Sequence, residues 1–247
     1  MTECYVPDWE MPANVRALQT TRSGGISRAP WAGFNLGDHV GDDPAAVAAN
    51  RAALCSHLPG EPRWLTQVHG TVAVDAEKWP KMKEADAAYA RQTNRVCVVM
   101  TADCLPVLLC DRQGTTVAAA HAGWRGLLGG VLENTVAAMQ VEPGTLLAWL
   151  GPAIGPRCFE VGEEVRQAFV AETPLAGLAF EPQDAGKWLC DIYLLARQRL
   201  QRMGVMAISG GDACTVTEAE RYFSYRRDGV TGRMASLIWL ESGAQGV

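Results

Sequence analysis

Three short apolar runs crowd the middle of the chain: Arg95 to Met100, Val107 to Leu109 and Thr115 to Ala120. Each has the length of a β-strand, and the longest apolar stretch, Val96 to Cys110, is too short and too interrupted by Asp103 and Pro106 to span a bilayer. The next segment, Leu127 to Met139, changes to helical spacing, so His121 to Gly126 reads as a strand-to-helix junction. A chain that alternates strands and helices in this way folds as an α/β protein.

The flanking segments extend the pattern. Val15 to Leu18 reads as a strand leading into a glycine-rich loop from Thr21 to Asp42. Asp42-Asp43-Pro44 starts a helix reaching about His57, with an acidic cap and proline in the first turn. Arg63 to Val74 alternates like a strand, as do Leu146 to Leu150, Val205 to Ile208 and Ala235 to Leu240. Helices are expected at Glu163 to Val170 and Ile192 to Met203. With no linker or internal repeat, residues 1–247 read as one domain.

Composition narrows the function. A formal net charge of −5 argues against a general nucleic-acid binder but allows a local basic pocket for a small anion. The segment Met1 to Asp8 has neither a basic nor an apolar signal region, and the eight cysteines show no CxxC pair. Together they suggest a reducing, cytoplasmic compartment and no membrane partner. No oligomeric state follows from the sequence. A P-loop and a GxGxxG turn are both missing.

Two of only four histidines stand in glycine-framed settings: His69 in Gln67-Val68-His69-Gly70, and His121 in Ala120-His121-Ala122-Gly123-Trp124-Arg125-Gly126. Between them Cys104 follows Asp103 and precedes Leu105-Pro106, where proline stiffens the turn. Taken singly, a strand-end histidine often only caps backbone groups, and a buried cysteine is usually inert. As a trio, two imidazoles and a thiolate would form a three-ligand metal site with one open position. Arg22, Arg51, Arg125, Arg226 and Arg227 lie in loops where a guanidinium could cradle phosphate, or simply be solvated. Tyr222 to Gly229 mixes aromatic and basic residues; it could stack a base or turn a hairpin at Asp228-Gly229.

Several runs together resemble one family: TTRSGGIS, NLGDHVGDD, WLTQVHG, ADA at 85–87, TADCLPVLLCD, VAAAHAGWRGL, LGPAIGP with FEVG, and FSYRRDGVTGR. It is the laccase-domain family of the YfiH type, first described as polyphenol oxidases and later as zinc-dependent purine nucleoside phosphorylases. The resemblance implies a single-domain mixed α/β sandwich related to a bacterial toxin deamidase fold of the CNF type. It implies that His69, Cys104 and His121 bind one metal. Family members commonly have paired cysteines where this chain has Arg157-Cys158-Phe159, which leaves Cys158 a weak site candidate.

Four histidines are too few for a blue copper plus a three-copper cluster, so a four-copper oxidase is excluded. A single copper would still bind a His2Cys site in vitro and give polyphenol oxidase activity. Zinc suits the donors better. The expected activity is phosphorolysis of adenosine, inosine, guanosine or methylthioadenosine, with phosphate on the arginines, Asp103 as acid/base and adenosine deamination as a side activity. The His-x-Glu and Pro-Cys-x-x-Cys signature of cytidine-deaminase-like enzymes is missing. The alternative is a cysteine hydrolase in which Cys104 is the nucleophile and His121 its base; the family resemblance implies peptidoglycan precursors as its substrates.

Overall fold

A computed structural model describes residues 4–78 and 84–242. Met1 to Glu3, where the reading for a secretion signal begins, lie outside the described residues. The strands are β1 (Cys4–Tyr5), β2 (Val15–Thr20), β3 (Ala73–Asp75), β4 (Ala87–Ala90), β5 (Cys97–Thr101), β6 (Leu105–Asp111) and β7 (Val117–Ala122). They continue with β8 (Leu146–Leu150), β9 (Glu160–Gly162), β10 (Phe180–Pro182), β11 (Lys187–Cys190), β12 (Ala207–Gly210) and β13 (Met234–Leu240). The helices are α1 (Pro44–Cys55), α2 (Trp124–Gly129), α3 (Val131–Met139), α4 (Glu163–Glu172), α5 (Ile192–Arg202) and α6 (Tyr225–Asp228).

Two sheets stack at the centre. The larger has the order β12-β8-β6-β7-β4-β3 and the smaller β1-β2-β13-β5; a third, β10-β11-β9, lies apart. The period of two along each strand decides which layer a side chain joins. Leu108 and Cys110 of β6, Val117 and Ala119 of β7, and Leu147 and Trp149 of β8 face the smaller sheet, meeting Val15, Ala17, Cys97, Val99, Ile238 and Leu240. Their neighbours Val107, Leu109, Ala118, Ala120, Ala148 and Leu150 face the opposite way, onto α3, α4 and α5. The outer face of the smaller sheet packs Val98, Met100, Leu237 and Trp239 against Phe34, Leu36 and Leu54 of α1.

This layering explains the uninterrupted apolar runs. A strand covered on both faces has no solvent side to alternate with. Leu108 is fully buried between the two sheets. Leu108→Ala is therefore expected to cost about 2–5 kcal/mol, read as a lower denaturation midpoint with an unchanged denaturant slope.

Helix ends follow local chemistry. The Asp43 carboxylate accepts from the Ala45 amide at 2.9 Å and Pro44 occupies the first turn of α1; Asp191 caps α5 by accepting from Leu194. Three expectations need correction. The helix expected over 127–139 is two helices, broken where Gly130 takes a left-handed φ of 99°. Residues 63–72 form no ladder, only isolated bridges at Arg63 and Thr66, because Val68, His69 and Gly70 give their amides to a carboxylate. The hairpin alternative at Asp228-Gly229 gives way to α6, capped by Ser224, whose hydroxyl accepts from the Arg227 amide.

Candidate active site

Sheet register places the site. β7 lies between β6 and β4, pairing Pro106 with His121 and Ala87 with Ala120. Cys104, just before β6, and Asp86, just before β4, therefore flank His121 at one end of adjacent strands. The His121 amide donates to the Asp86 carbonyl at 2.7 Å, fixing this register. His69 reaches the same point from a loop whose left-handed φ of 58° turns the chain back over the sheet.

The ligand-capable atoms of His69, Cys104 and His121 all lie within 4.8 Å of one another. Cys104 Sγ is 3.7 Å from His69 Nε2, and the two imidazoles meet edge to face at 4.8 Å. A Cβ on residue 123 would come within 2.8 Å of His69 Cδ2 and 2.9 Å of Cys104 Sγ, so glycine at this position keeps the donors together. Gly126 acts similarly for the His69 loop, since a Cβ there would sit 2.9 Å from the Gly70 carbonyl oxygen.

Asp86 organises the whole arrangement. It is fully buried, and its carboxylate accepts from the amides of Val68 (3.3 Å), His69 (2.9 Å) and Gly70 (2.6 Å) and from His121 Nδ1 (2.8 Å). Burial alone would raise its carboxyl pKa, but His121 and these amides hold it below the ordinary carboxylate range. A carboxylate can only accept, so His121 Nδ1 carries a proton, and Nε2 is the nitrogen left to face Cys104 and a metal. Burial would also raise the Cys104 thiol, yet the facing His121 and His69 bring it down to about 6. His121 is pushed toward neutrality by burial but raised to about 9 by Cys104 and Asp86. Such a donor set, a thiolate and two oriented imidazoles, fits a soft or borderline divalent cation such as zinc.

The trio borders a cleft of about 590 Å³ whose walls include Trp124, Arg125, Phe159, Tyr225, Arg226 and Arg233. A model of the multi-copper polyphenol oxidoreductase laccase family matches residues 16–241. The chain belongs to this laccase family. It is similar to purine nucleoside phosphorylase YfiH of Escherichia coli, 56% identical over 243 residues that cover 97% of this chain and 100% of the relative. A purine nucleoside phosphorylase of Pseudomonas aeruginosa is 54% identical over 242 residues, covering 98% and 100%. Among solved structures, a Neisseria meningitidis protein assigned to DUF152 matches with a TM-score of 0.94 at 53% identity, over 97% of this chain and 99% of that one. YlmD of Geobacillus stearothermophilus matches at 0.86 and 30% identity, over 93% of each chain.

In this laccase-family chain the arginines divide. Arg125 and Arg226 line the cleft. Arg22 does not; it lies over Phe223 at 4.9 Å and donates to the carbonyls of Ala219 and Ala32. Arg51 does not either, because it stacks on Trp64 at 4.2 Å, donates to the Leu36 carbonyl and pairs with Asp38. Arg227 is spent on the carbonyls of Thr215, Val216 and Tyr222. Tyr222 and Phe223 are buried, which leaves Tyr225 as the aromatic of that segment that reaches the cleft.

Asp103 borders the cleft, but its oxygens accept from Thr215 Oγ1 and the Arg226 amide, each at 2.6 Å. Committed to two fixed donors, it ties loops together and is a poor proton shuttle, which corrects the acid/base expectation. Sequence reasoning gave no role to Asp86, Arg233 or His39, though all three belong to the site or its walls. Asp86 had a usable signal: an aspartate between two alanines at the start of an apolar strand needs buried partners. Arg233 had none, because only the fold brings β13 to this cleft. Among the described residues no helix is long and apolar enough to cross a membrane.

Proposed function

We propose that the protein is a zinc-dependent purine nucleoside phosphorylase acting on adenosine, inosine, guanosine and methylthioadenosine. The observation that carries this reading is the joining of the His69–Cys104–His121 donors to a cleft walled by both guanidinium and aromatic groups. The names of the curated relatives support it.

When bound by this trio, zinc supplies a Lewis acid with one open position. Tyr225 is exposed and offers a face on which a purine stacks, with Trp124 and Phe159 in the wall beneath Arg125 and Arg226. Arg125 holds phosphate by planar, charge-assisted hydrogen bonds, joined by the donors of Arg226 and Arg233 that remain after their bonds to the carbonyls of Glu160, Thr231 and Gly232. A phosphate oxygen attacks the anomeric carbon while the glycosidic bond breaks, and its electron pair departs with the purine. Asp86 keeps the His121 ring from rotating throughout.

Arg125 is exposed and lies over Trp124 at 4.3 Å, so its removal disturbs little of the core. Arg125→Ala is expected to raise the KM for phosphate about tenfold with a smaller change in kcat, as measured in phosphate titrations. For the function itself, protein purified without added metal is analysed for metals and assayed on adenosine with and without phosphate. One zinc per chain and phosphate-dependent adenine release support the proposal; adenine release that does not depend on phosphate, or deamination with no phosphorolysis at all, overturns phosphorolysis, and a copper-dependent oxidase with no phosphorolysis overturns zinc.

A second reading, cysteine hydrolysis with Cys104 as nucleophile and His121 as its base, draws on the convergence of these two side chains within 4.8 Å. Metal-free protein that hydrolyses a peptidoglycan-precursor amide, and loses this on alkylation of Cys104, would replace the first reading.

A further inference from the structure

A second pair of cysteines lies outside the cleft, on two loops that meet beside it. Cys158 stands in the loop between β8 and β9, and Cys214 follows β12; both are half-buried. The loops are paired backbone to backbone at Ala153 and Cys214, with the Thr215 amide donating to the Ala153 carbonyl at 3.0 Å. The Gly155 amide donates to Cys214 Sγ at 3.3 Å, and a Cβ on Gly155 would strike that sulfur at 3.0 Å. Cys158 joins this contact from the other side, its amide donating to the Gly155 carbonyl at 3.0 Å, which places its side chain beside that of Cys214. Neither thiol lines the metal-ligand cleft.

The environments of the two sulfurs differ in a useful direction. Partial burial would favour a neutral Cys214, but the nearby Thr217 hydroxyl and the amides of Thr217, Gly155 and Val216, of which Gly155 makes the hydrogen bond at 3.3 Å, lower its pKa. Such a cluster of amides is an anion-binding nest, here filled by the protein's own sulfur. Cys158 is raised, first by burial and then by Cys214 itself, so the shared proton resides on Cys158. One sulfur is thus prepared as a nucleophile and its neighbour as a thiol in reserve.

We propose that Cys214 is a hydroperoxide-reactive thiolate and Cys158 its resolving thiol, the two closing a reversible disulfide between these loops. The Cys214 sulfur attacks the peroxide oxygen; an S–O bond forms, the O–O bond breaks, and with hydrogen peroxide the leaving hydroxide takes a proton to become water. The Cys158 sulfur then attacks the Cys214 sulfur, forming S–S and breaking S–O, while the Cys158 proton leaves with a second water. Two electrons pass from the thiol pair to the peroxide. Each thiol is followed by a residue of the site: Phe159 lines the cleft, and the Thr215 hydroxyl donates to Asp103. The disulfide therefore fixes two segments that border the cleft. The proposal is independent of the phosphorolysis reading.

The test treats metal-loaded, full-length protein with equimolar hydrogen peroxide, blocks free thiols and maps peptides without reduction. The expected product is a peptide pair joined between Cys158 and Cys214, lighter by two hydrogens and released by dithiothreitol. In Cys158→Ser, dimedone should label Cys214 about tenfold faster than Cys55, whose thiol is raised by burial. Cross-linking mainly through other cysteines, or oxidation of Cys214 no faster than Cys55 in the unmutated protein, overturns the proposal. The mapping needs no variant, so a folding defect in Cys158→Ser leaves the decision intact.

Discussion

Cys104→Ala is expected to strip the metal and reduce phosphorolysis by on the order of 10³-fold, equivalent to about 4 kcal/mol of transition-state stabilisation. The site offers only three donors, and all three converge within 4.8 Å. With the thiolate removed, two imidazoles remain, one of them on an exposed loop. Zinc would then lose its charge-balancing ligand and one of its three points of attachment. The turn bearing Cys104 should survive, because Asp103 is still held by Thr215, Arg226 and the Ile154 amide, which donates to its carbonyl oxygen. Metal content per chain, kcat/KM and the far-ultraviolet circular dichroism spectrum are the three measurements. Full zinc occupancy with unreduced activity would remove Cys104 from the site.

The trio was legible in the sequence because its residues stand beside glycines and a proline that break the apolar pattern. Gly123 and Gly126 now have a reason: a side chain at either would strike the His69 loop or Cys104. The strand cores were equally legible, since β6, β7 and β8 are apolar on both faces. The arginines were not. Arg51 stands in α1 and Arg125 in α2 rather than in loops, and the guanidiniums of Arg22 and Arg51 are absorbed by carbonyls and aromatic rings whose position only the tertiary structure sets. The His69 segment misled for a related reason. It alternates like a strand, but its amides are satisfied by Asp86, eighteen to sixteen residues later in the chain.

The family's oxidase description and the site also bear on one another. Among the described residues one group of three or more potential ligands was found that could hold a metal. A blue-copper centre would add a weak axial methionine. Met100 borders the cleft, but its sulfur accepts from Arg51 Nη2 at 3.8 Å, which ties it to the far side of that strand's end. This geometry favours a redox-inert ion at the trio over an electron-transfer copper.

Asp86→Asn changes one oxygen to nitrogen and tests whether the site depends on charge and proton placement more than on ligand identity. The carboxylate accepts four hydrogen bonds, three from consecutive amides and one from His121 Nδ1. An asparagine carbonyl can take two of them. Its NH2 group must then face an amide or Nδ1, and donor against donor is repulsive. If the amide faces Nδ1, the His121 proton moves to Nε2 and occupies the lone pair that a metal needs. If it faces the backbone instead, the His69 loop loses anchors that cost about 1–3 kcal/mol each when left unpaired. Either outcome weakens the same ion from a different ligand. Zinc affinity, measured by competition with a chelator, is expected to fall about 10–100-fold, with activity recovering in part at high zinc. That recovery separates Asp86→Asn from Cys104→Ala, in which a ligand is gone and added metal restores little. An Asp86→Asn protein with unaltered zinc affinity would show that the imidazoles hold their orientation without the buried carboxylate.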